Sequence, residues 1–587
     1  MSDFVLLILI SFIAYGVGDF IARSMKIRSS RLENFVFSTG LGLGIIAYIV
    51  FILGQAGLVY FKILIITLCV LFALFFKNIL LLIKDLYSYV KNIKIGDWSL
   101  FDKILLAVLT LAFVFSLAGA LAPPIGNDAL AYHLIHPKIF IKTHSVSFIP
   151  YTRESLWPYL TEMLFTLGML LENSILAKLF HYLFGVLAAI AVYCFARRFV
   201  NRKAGLLSAA LFYLSPGIFM QASYAYVDLS LCFYVFCAFY LFLSWITDRE
   251  IQYLVFSGIL FGLALSVKIL AAIGLIPVLV LLLYVLVKEK NLIKTYISHL
   301  SAFLIPLFLF SFIWYLRSYL ITGNPVYPFM HEVFGSGWSA AHIAESYGYM
   351  KGPIGLLRLP WDLVMHMESF GGEQIGFLFL ALLPASIFTR WGNRSRRFMA
   401  FFMIIYMALW FKIDQNIRFL FPVFPVAFVL ISDGLDQIFI KRNFKLLKTF
   451  IAMGLVFNLS LVLYYNADPI KILTGHMSED EYLLKKERTY AVSKWVNSNV
   501  SKDSLLILAG ETREYYFDPH VIKYKRMTNT KKTFQEITAP YKSVYILCKD
   551  DTMDESVKKL IYAKKPLFTS SFTEDGIKST YSIYKLR

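Results

Sequence analysis

The sequence predicts an all-α polytopic membrane protein of about 13–14 transmembrane helices with a small α/β domain at its C-terminal end. Three observations carry this. The 587 residues are 58% hydrophobic and only 16% charged, where soluble domains carry about 25% charged residues. The apolar residues fall in runs long enough to cross a bilayer. The last stretch, 467–587, changes to short strand-like and amphipathic segments.

The runs lie near 4–22, 35–56, 59–80, 104–122, 175–196, 204–222, 226–246, 252–269, 271–287, 296–321, 374–389, 398–412, 418–438 and 447–466. Asp3 stands where a signal peptide would carry basic residues, so Phe4 to Ile21 is expected to be a retained first helix. Between spans, basic residues fill alternate loops: Arg23 to Arg31; Lys84, Lys91, Lys94 and Lys103; Arg197 to Lys203; Arg249; Lys288, Lys290 and Lys294; Arg390 to Arg397; Lys441 to Lys448. The positive-inside rule makes that side cytoplasmic. The N-terminus, the loops 123–174 and 323–373, and 467–587 are then extracytoplasmic. The excess of 57 Lys+Arg over 38 Asp+Glu thus reads as topology, not as a nucleic-acid groove. Five scattered cysteines give no disulfide framework and no zinc spacing.

Within 467–587, Ser478 to Val500 is expected as an amphipathic helix, Leu505–Leu508, Ser543–Cys548 and Tyr581–Tyr584 as strands, and Asp554–Ala563 as helical. No nucleophile elbow, phosphate loop or metal spacing occurs there. The domain is expected to bind an acceptor or cover a site.

The organising stretch is Pro123-Pro-Ile-Gly-Asn-Asp128-Ala-Leu-Ala-Tyr132-His133-Leu-Ile-His136-Pro-Lys138, directly after an apolar run. Pro123, Pro124 and Gly126 stop the preceding helix, and Asn127 is placed to cap a short new one that Asp128 opens. Topology brings Asp128, Asp228, Lys268, Arg317 and Arg418 to one membrane face. Each has a plain structural reading: Lys178, Arg317 and Arg418 as snorkelling anchors, Asp228 as a favourable charge at a helix start, His133 and His136 as structural rather than metal-binding, His181 as helix packing. Lys268, between two apolar segments, calls for a specific anionic partner.

Acids and cations at an outer interface over apolar helices suit group transfer from a lipid-linked phosphate donor. Lys and Arg hold the phosphate and a carboxylate deprotonates the acceptor hydroxyl. The runs Asn-Asp128-Ala-Leu-Ala-Tyr-His133, Pro-Lys138, Leu-Thr-Glu162-Met-Leu-Phe, Tyr-Val-Asp228-Leu-Ser, Leu-Ser-Val-Lys268 and Gly-Asn-Pro-Val-Tyr327-Pro-Phe329 resemble the GT-C membrane glycosyltransferases. Within them the chain is most similar to bacterial relatives of protein O-mannosyltransferases and of lipid A aminoarabinose transferase, over residues 100–440.

The resemblance implies a GT-C-like fold in the membrane part, 1–466, and inverting transfer from a polyprenyl-phosphate sugar to an extracytoplasmic glycan, lipid or protein acceptor, in a prokaryotic plasma membrane. It implies Asp128 and Asp228 as catalytic acids and Lys268 at the donor phosphate; Arg317 and Arg418, brought to the same face by topology, are expected beside Lys268 at that phosphate, and Tyr132, His133, Lys138, Glu162 and Tyr327 at the substrate. The chain departs from the aminoarabinose transferase pattern, whose first loop carries Glu-Lys-Pro-Pro; here Glu154 is followed by Ser-Leu-Trp-Pro158. It also lacks a clear Asp-x-Asp pair, so metal dependence does not follow from the resemblance; the candidate cofactor is a divalent cation (Mg or Mn) with no ligand set assigned. A lipid or solute transporter or flippase is the competing reading. It should show matching interrupted helices in two halves, which the loops 123–174 and 323–373 do not supply. A ligase or polymerase using a diphosphate lipid would need several more outer-loop arginines.

Overall fold

The computed structural model describes residues 2–92, 96, 98–150, 152–289, 293–335, 347–348, 352–441, 444–527, 533–574 and 576–587. Lys94, Lys290, Arg442 and the middle of the 323–373 loop lie outside the described residues.

Ten helices among these are long and apolar enough to cross a membrane: Ser2–Ser24, Arg31–Gln55, Phe61–Tyr89, Leu100–Ala120, Ser174–Phe199, Asp228–Asp248, Ala271–Lys288, Ile293–Thr322, Ile417–Ile440 and Lys445–Tyr465. Shorter apolar helices occupy Leu160–Leu171, Ile251–Val267 and Phe377–Phe388. The expected spans thus recur in order, with local corrections. The stretch 204–222 is not one helix: Arg202–Tyr213 ends before Ser215, which is extended, and Pro216 opens a new short helix to Gln221. Proline disfavours helix in the residue before it and cannot donate to the previous turn. The 374–389 stretch splits likewise, from α to 3-10 at Leu383, ahead of Pro384. The 398–412 stretch begins earlier, at Arg394, where the Asn393 side chain caps the helix. Leu160–Leu171, expected inside an outer loop, is an apolar helix with Thr161 and Glu162 buried in it.

The apolar window of Asp228–Asp248 is wholly buried, packed on Ser174–Phe199 and Ile251–Val267. It is the central helix, so Asp228 at its first position is fixed by everything around it. Ser2–Ser24 and Arg31–Gln55 pack so closely that a Cβ on Gly18 would lie 1.9 Å from the Ser38 carbonyl oxygen, and one on Gly42 1.7 Å from that of Ala14. Small residues permit that approach in a bilayer, where dispersion contacts drive helix association.

The C-terminal sheet has strands β1 (Leu505–Ala509), β2 (His520–Lys523), β3 (Val544–Lys549), β4 (Phe568–Glu574) and β5 (Ile577–Lys585) in the order β2-β1-β3-β5-β4. β1 is parallel to β2 and β3, whereas β5 runs antiparallel to β3 and β4. Alternate residues of β1 serve the two faces: Leu506 and Leu508 pack on Val492 and Val496, Leu505 and Ile507 on Ile537 and Val557. The expected helix Ser478–Val500 is two, Glu479–Lys486 and Tyr490–Asn499. Glu487 breaks it: its carboxylate takes the Thr489 N–H at 3.1 Å and Arg513 at 2.8 Å.

Candidate active site

Pro123 and Pro124 end the preceding helix, and a helical turn then begins at Asn127, one residue before the expected start. The turn over Ala129–His133 is a π-turn, closed by the Leu134 N–H on the Ala129 carbonyl at 3.0 Å. Such single wide turns are frequent at functional sites. Asp128 makes no side-chain cap; its carboxylate meets Arg418 at 2.8 Å, and its side chain is 20% exposed.

Arg418 is the hub. It lies on the 3-10 turn Ile417–Val423, which Asn416 caps through the Arg418 N–H. Around its guanidinium stand Asp128, Asp228 at 3.7 Å and Glu373 at 3.3 Å, and its Cζ lies over the Tyr226 ring, 5.3 Å from the centroid. Lys268 sits where Ile251–Val267 ends, its backbone extended. Its ammonium reaches Asp228 at 3.2 Å and the Phe419 ring at 4.5 Å. His181 orders this corner. Its Nε2 accepts the Leu229 N–H at 3.0 Å, so Nδ1 carries the proton and donates to the Gln221 and Tyr224 carbonyls. The imidazole therefore holds the first turn that presents Asp228.

Three carboxylates face two cations here, and bonding is incomplete. Among the described residues, Asp228 Oδ2, Glu373 Oε2 and Arg418 Nε are buried without a hydrogen-bond partner. Burial pushes the Asp128 carboxyl up, but Arg418 first, then His133 and Lys268, outweigh it and hold it below the usual carboxylate range. Glu373 goes the other way. Burial, reinforced by Asp228 and Asp128 and only partly offset by Arg418, pushes it up to about 7.

Beside this cluster opens a cavity of about 480 Å³, within the range of small-molecule sites. Lys268, Arg418, Tyr132, His133, Glu162 and Tyr327 lie on its wall, with Trp157, Leu270, Trp314 and Phe419 among its apolar members. His133 Nδ1 and Glu162 Oε1 are 2.7 Å apart, and the second Glu162 oxygen is buried without a partner. Asp128 and Asp228 adjoin the cavity through Arg418, which pairs with both. His136 turns away from His133 and bonds the Tyr159 hydroxyl.

Arg317, expected at the donor phosphate, and Lys138, expected at the substrate, make other contacts. Arg317 donates to the carbonyls of Ser155 at 2.8 Å and Ser147 at 3.3 Å, fixing the first outer loop. Lys138 donates to the Tyr515 and Phe517 carbonyls at 2.9 and 3.3 Å, which belong to the C-terminal domain. That domain grips the Asp128 loop further. Lys523 donates to the Ala131 carbonyl at 2.8 Å, Arg526 pairs with Glu154 at 2.7 Å, and the Glu514 and Tyr515 N–H groups both reach the Leu130 carbonyl.

Glu373 is the site residue that sequence reasoning passed over. The signal was an acid inside Gly371-Gly372-Glu373-Gln374-Ile375-Gly376, immediately before an apolar run; all three glycines have positive φ. For a divalent cation the donor set does not fit. Among the described residues no group of three His, Cys, Asp or Glu side chains is arranged to hold a metal ion, and the space between Asp128, Asp228 and Glu373 holds the Arg418 guanidinium.

A family model described as dolichyl-phosphate-mannose-protein mannosyltransferase matches residues 156–315, a segment that contains Glu162, Asp228 and Lys268. The crystal structure of ArnT from Cupriavidus metallidurans bound to undecaprenyl phosphate superposes with a TM-score of 0.52 at 14% identity, over 82% of this chain and 97% of that one. Its apo form gives 0.52 at 11% identity over the same shares. An uncharacterized protein of Aquifex aeolicus is 24% identical over 309 residues, 50% of this chain and 55% of that protein. One from Shigella flexneri is 27% identical over 153 residues, 24% of this chain and 78% of that protein. The chain therefore spans about half the length of the Aquifex relative. Family match and superposition together give this multi-pass membrane protein the fold of the GT-C superfamily of membrane glycosyltransferases.

Proposed function

We propose that the chain transfers a sugar from a polyprenyl-phosphate donor to an acceptor hydroxyl, with inversion, on the extracytoplasmic face of the membrane where the C-terminal domain sits. The observation that carries this reading is the pair Arg418 and Lys268: both line a largely apolar cavity, and both are neutralised only by carboxylates. A donor phosphate entering the cavity exchanges with those carboxylates for the two cations. Charge-assisted contacts with both stabilise the phosphate as it departs. Partner exchange frees Asp128, the more exposed acid, to take the acceptor proton. The acceptor oxygen then forms its bond to the anomeric carbon while the anomeric C–O bond breaks, and polyprenyl phosphate leaves with the electron pair. Asp228 positions Lys268 before the donor arrives, and Tyr132, His133, Glu162 and Tyr327 face the sugar. The ArnT structure bound to undecaprenyl phosphate supports the donor class; the sugar and the acceptor are left open. No step is routed through a metal ion.

The test is sugar release from a polyprenyl-phosphate donor by the purified protein in detergent. Asp128→Asn is expected to fold normally and to lose turnover by roughly 10²–10⁴-fold, the range for removal of a general base. Near-wild-type turnover in that variant removes Asp128 as the base.

A further inference from the structure

A second cavity, about 300 Å³ in volume, opens between the helices Ala271–Lys288 and Arg394–Ile413. It lies at the far end of Ala271–Lys288 from Lys268. Those 18 helical residues span about 27 Å, close to the hydrocarbon thickness of a bilayer, so the two cavities belong to opposite leaflets. Lys288, Arg394 and Arg397 line it, over a floor of Leu281, Phe398 and Phe401.

The cations here are under-neutralised. Among the described residues, the acid within ion-pair reach is Glu289, 3.5 Å from Arg394 and shared with Arg249. Arg394 Nη2 is buried and has no hydrogen-bond partner among the described residues, although the guanidinium lies over the Phe398 ring at 5.1 Å. Lys288 donates to the Tyr284 hydroxyl at 3.0 Å, which leaves its other hydrogens for a second acceptor. From this basic end, Ile276, Val280, Leu283, Tyr284 and Val287 form one exposed apolar stripe along the helix.

We propose that this cavity binds an anionic phospholipid of the leaflet opposite the Arg418 cavity, its phosphate between Lys288, Arg394 and Arg397 and an acyl chain along the Ile276–Val287 stripe. The chemistry requires both parts. A headgroup phosphate supplies the acceptor that Arg394 Nη2 lacks, and a chain covers a stripe that nothing in the protein covers. A zwitterionic lipid adds a cation beside three others.

Native mass spectrometry of the full chain tests this, with phosphatidylglycerol, phosphatidylcholine and undecaprenyl phosphate offered in turn. Wild type is expected to retain phosphatidylglycerol about 10-fold more than phosphatidylcholine, two or three basic contacts being sufficient for that. Arg394→Gln with Arg397→Gln removes the preference, while Lys84→Gln with Lys91→Gln, on the last turns of the helix Phe61–Asn92, leaves it intact. Equal retention of the two phospholipids by wild type overturns the proposal without any variant. So does equal loss in the two double variants, which is a diffuse surface charge, and so does displacement of phosphatidylglycerol by equimolar undecaprenyl phosphate.

Discussion

The span Ile417–Ile440 carries buried ion pairs near both ends, and they are built on different principles. Toward its C-terminal end Asp433 is saturated. Its Oδ1 accepts from Arg390 Nε and Nη2 at 2.9 and 2.6 Å, and its Oδ2 from the Arg390 N–H and Arg396 Nε at 3.1 and 3.3 Å. About 22 Å away by helical rise, Arg418 faces three carboxylates, and atoms on three of the four groups lack partners. A buried charge left short of hydrogen bonds costs stability. The Asp433 cluster ties its helices together, while the open bonding at Arg418 matches the proposed donor site. Stability and activity should therefore separate between the two ends.

Arg418→Gln is expected to give the largest change, because it leaves Asp128, Asp228 and Glu373 facing one another. Breaking a buried pair from one side costs about 3–5 kcal/mol, read as a lowered Tm by tryptophan fluorescence, and turnover should fall below detection. Turnover within tenfold of wild type would sink the hub role. Asp433→Asn is next. It should lower Tm by a comparable amount through Arg390 and Arg396, yet leave turnover per folded molecule within about twofold, since nothing at that end meets the reaction. A parallel loss of specific activity would erase the distinction between the two ends.

Glu373→Gln sharpens the contrast at the incomplete end. In the folded chain Glu373 titrates at about 7 against an ordinary value of 4.5. The folded state thus holds a proton the unfolded chain has already lost. The stability this supplies is full below about 4.5 and disappears as pH rises through 7. The glutamine variant mimics the protonated form, so its Tm should exceed wild type by about 1–3 °C at pH 8 and match it at pH 5. The same Tm offset at both pH values would show that the Glu373 carboxyl does not titrate between them.

Much of this was readable in the chain because its strongest signals are one-dimensional. Apolar runs marked the spans, basic loops marked the sides, and alternation of sides brought Asp128, Asp228, Lys268 and Arg418 to one face before any contact was known. Arg317 shows the limit of that logic: the face is right, but the guanidinium is consumed by the Ser155 and Ser147 carbonyls, a choice made by loop packing. Glu373 was hidden for the opposite reason, since its loop runs through glycines with no periodicity to read. Leu160–Leu171 was masked by Thr161 and Glu162, whose partners, Ser230 and His133, come from other segments. Likewise β2 and β4 are short or alternate weakly, and β2 pairs only through β1.

The smallest effect expected is at the contact between the C-terminal domain and the Asp128 loop. Arg526 pairs with Glu154 at 2.7 Å and reaches the Thr152 hydroxyl at 3.1 Å. Arg526→Gln leaves Glu154 with Arg153 at 3.0 Å, so the loss is that of one charged hydrogen bond, about 1.5–3 kcal/mol at most, and it falls on docking rather than on global folding. The amides of Glu514 and Tyr515, both bonded to the Leu130 carbonyl, report docking directly, and their hydrogen exchange should quicken about tenfold while turnover changes less than threefold. The pH dependence gives a second check. Burial raises the Glu154 carboxyl, but Arg526, Lys523 and Arg153 bring it down to about 2 from 4.5, so the stability it supplies is present above 4.5 and lost as pH falls through 2. Wild-type protection at these two amides should hold at pH 5 and decline below it, and Arg526→Gln should decline less steeply. Unchanged exchange in the variant would mean that the Ala131 and Leu130 carbonyls, gripped by Lys523 and the 514–515 backbone, hold the loop without help from the ion pair.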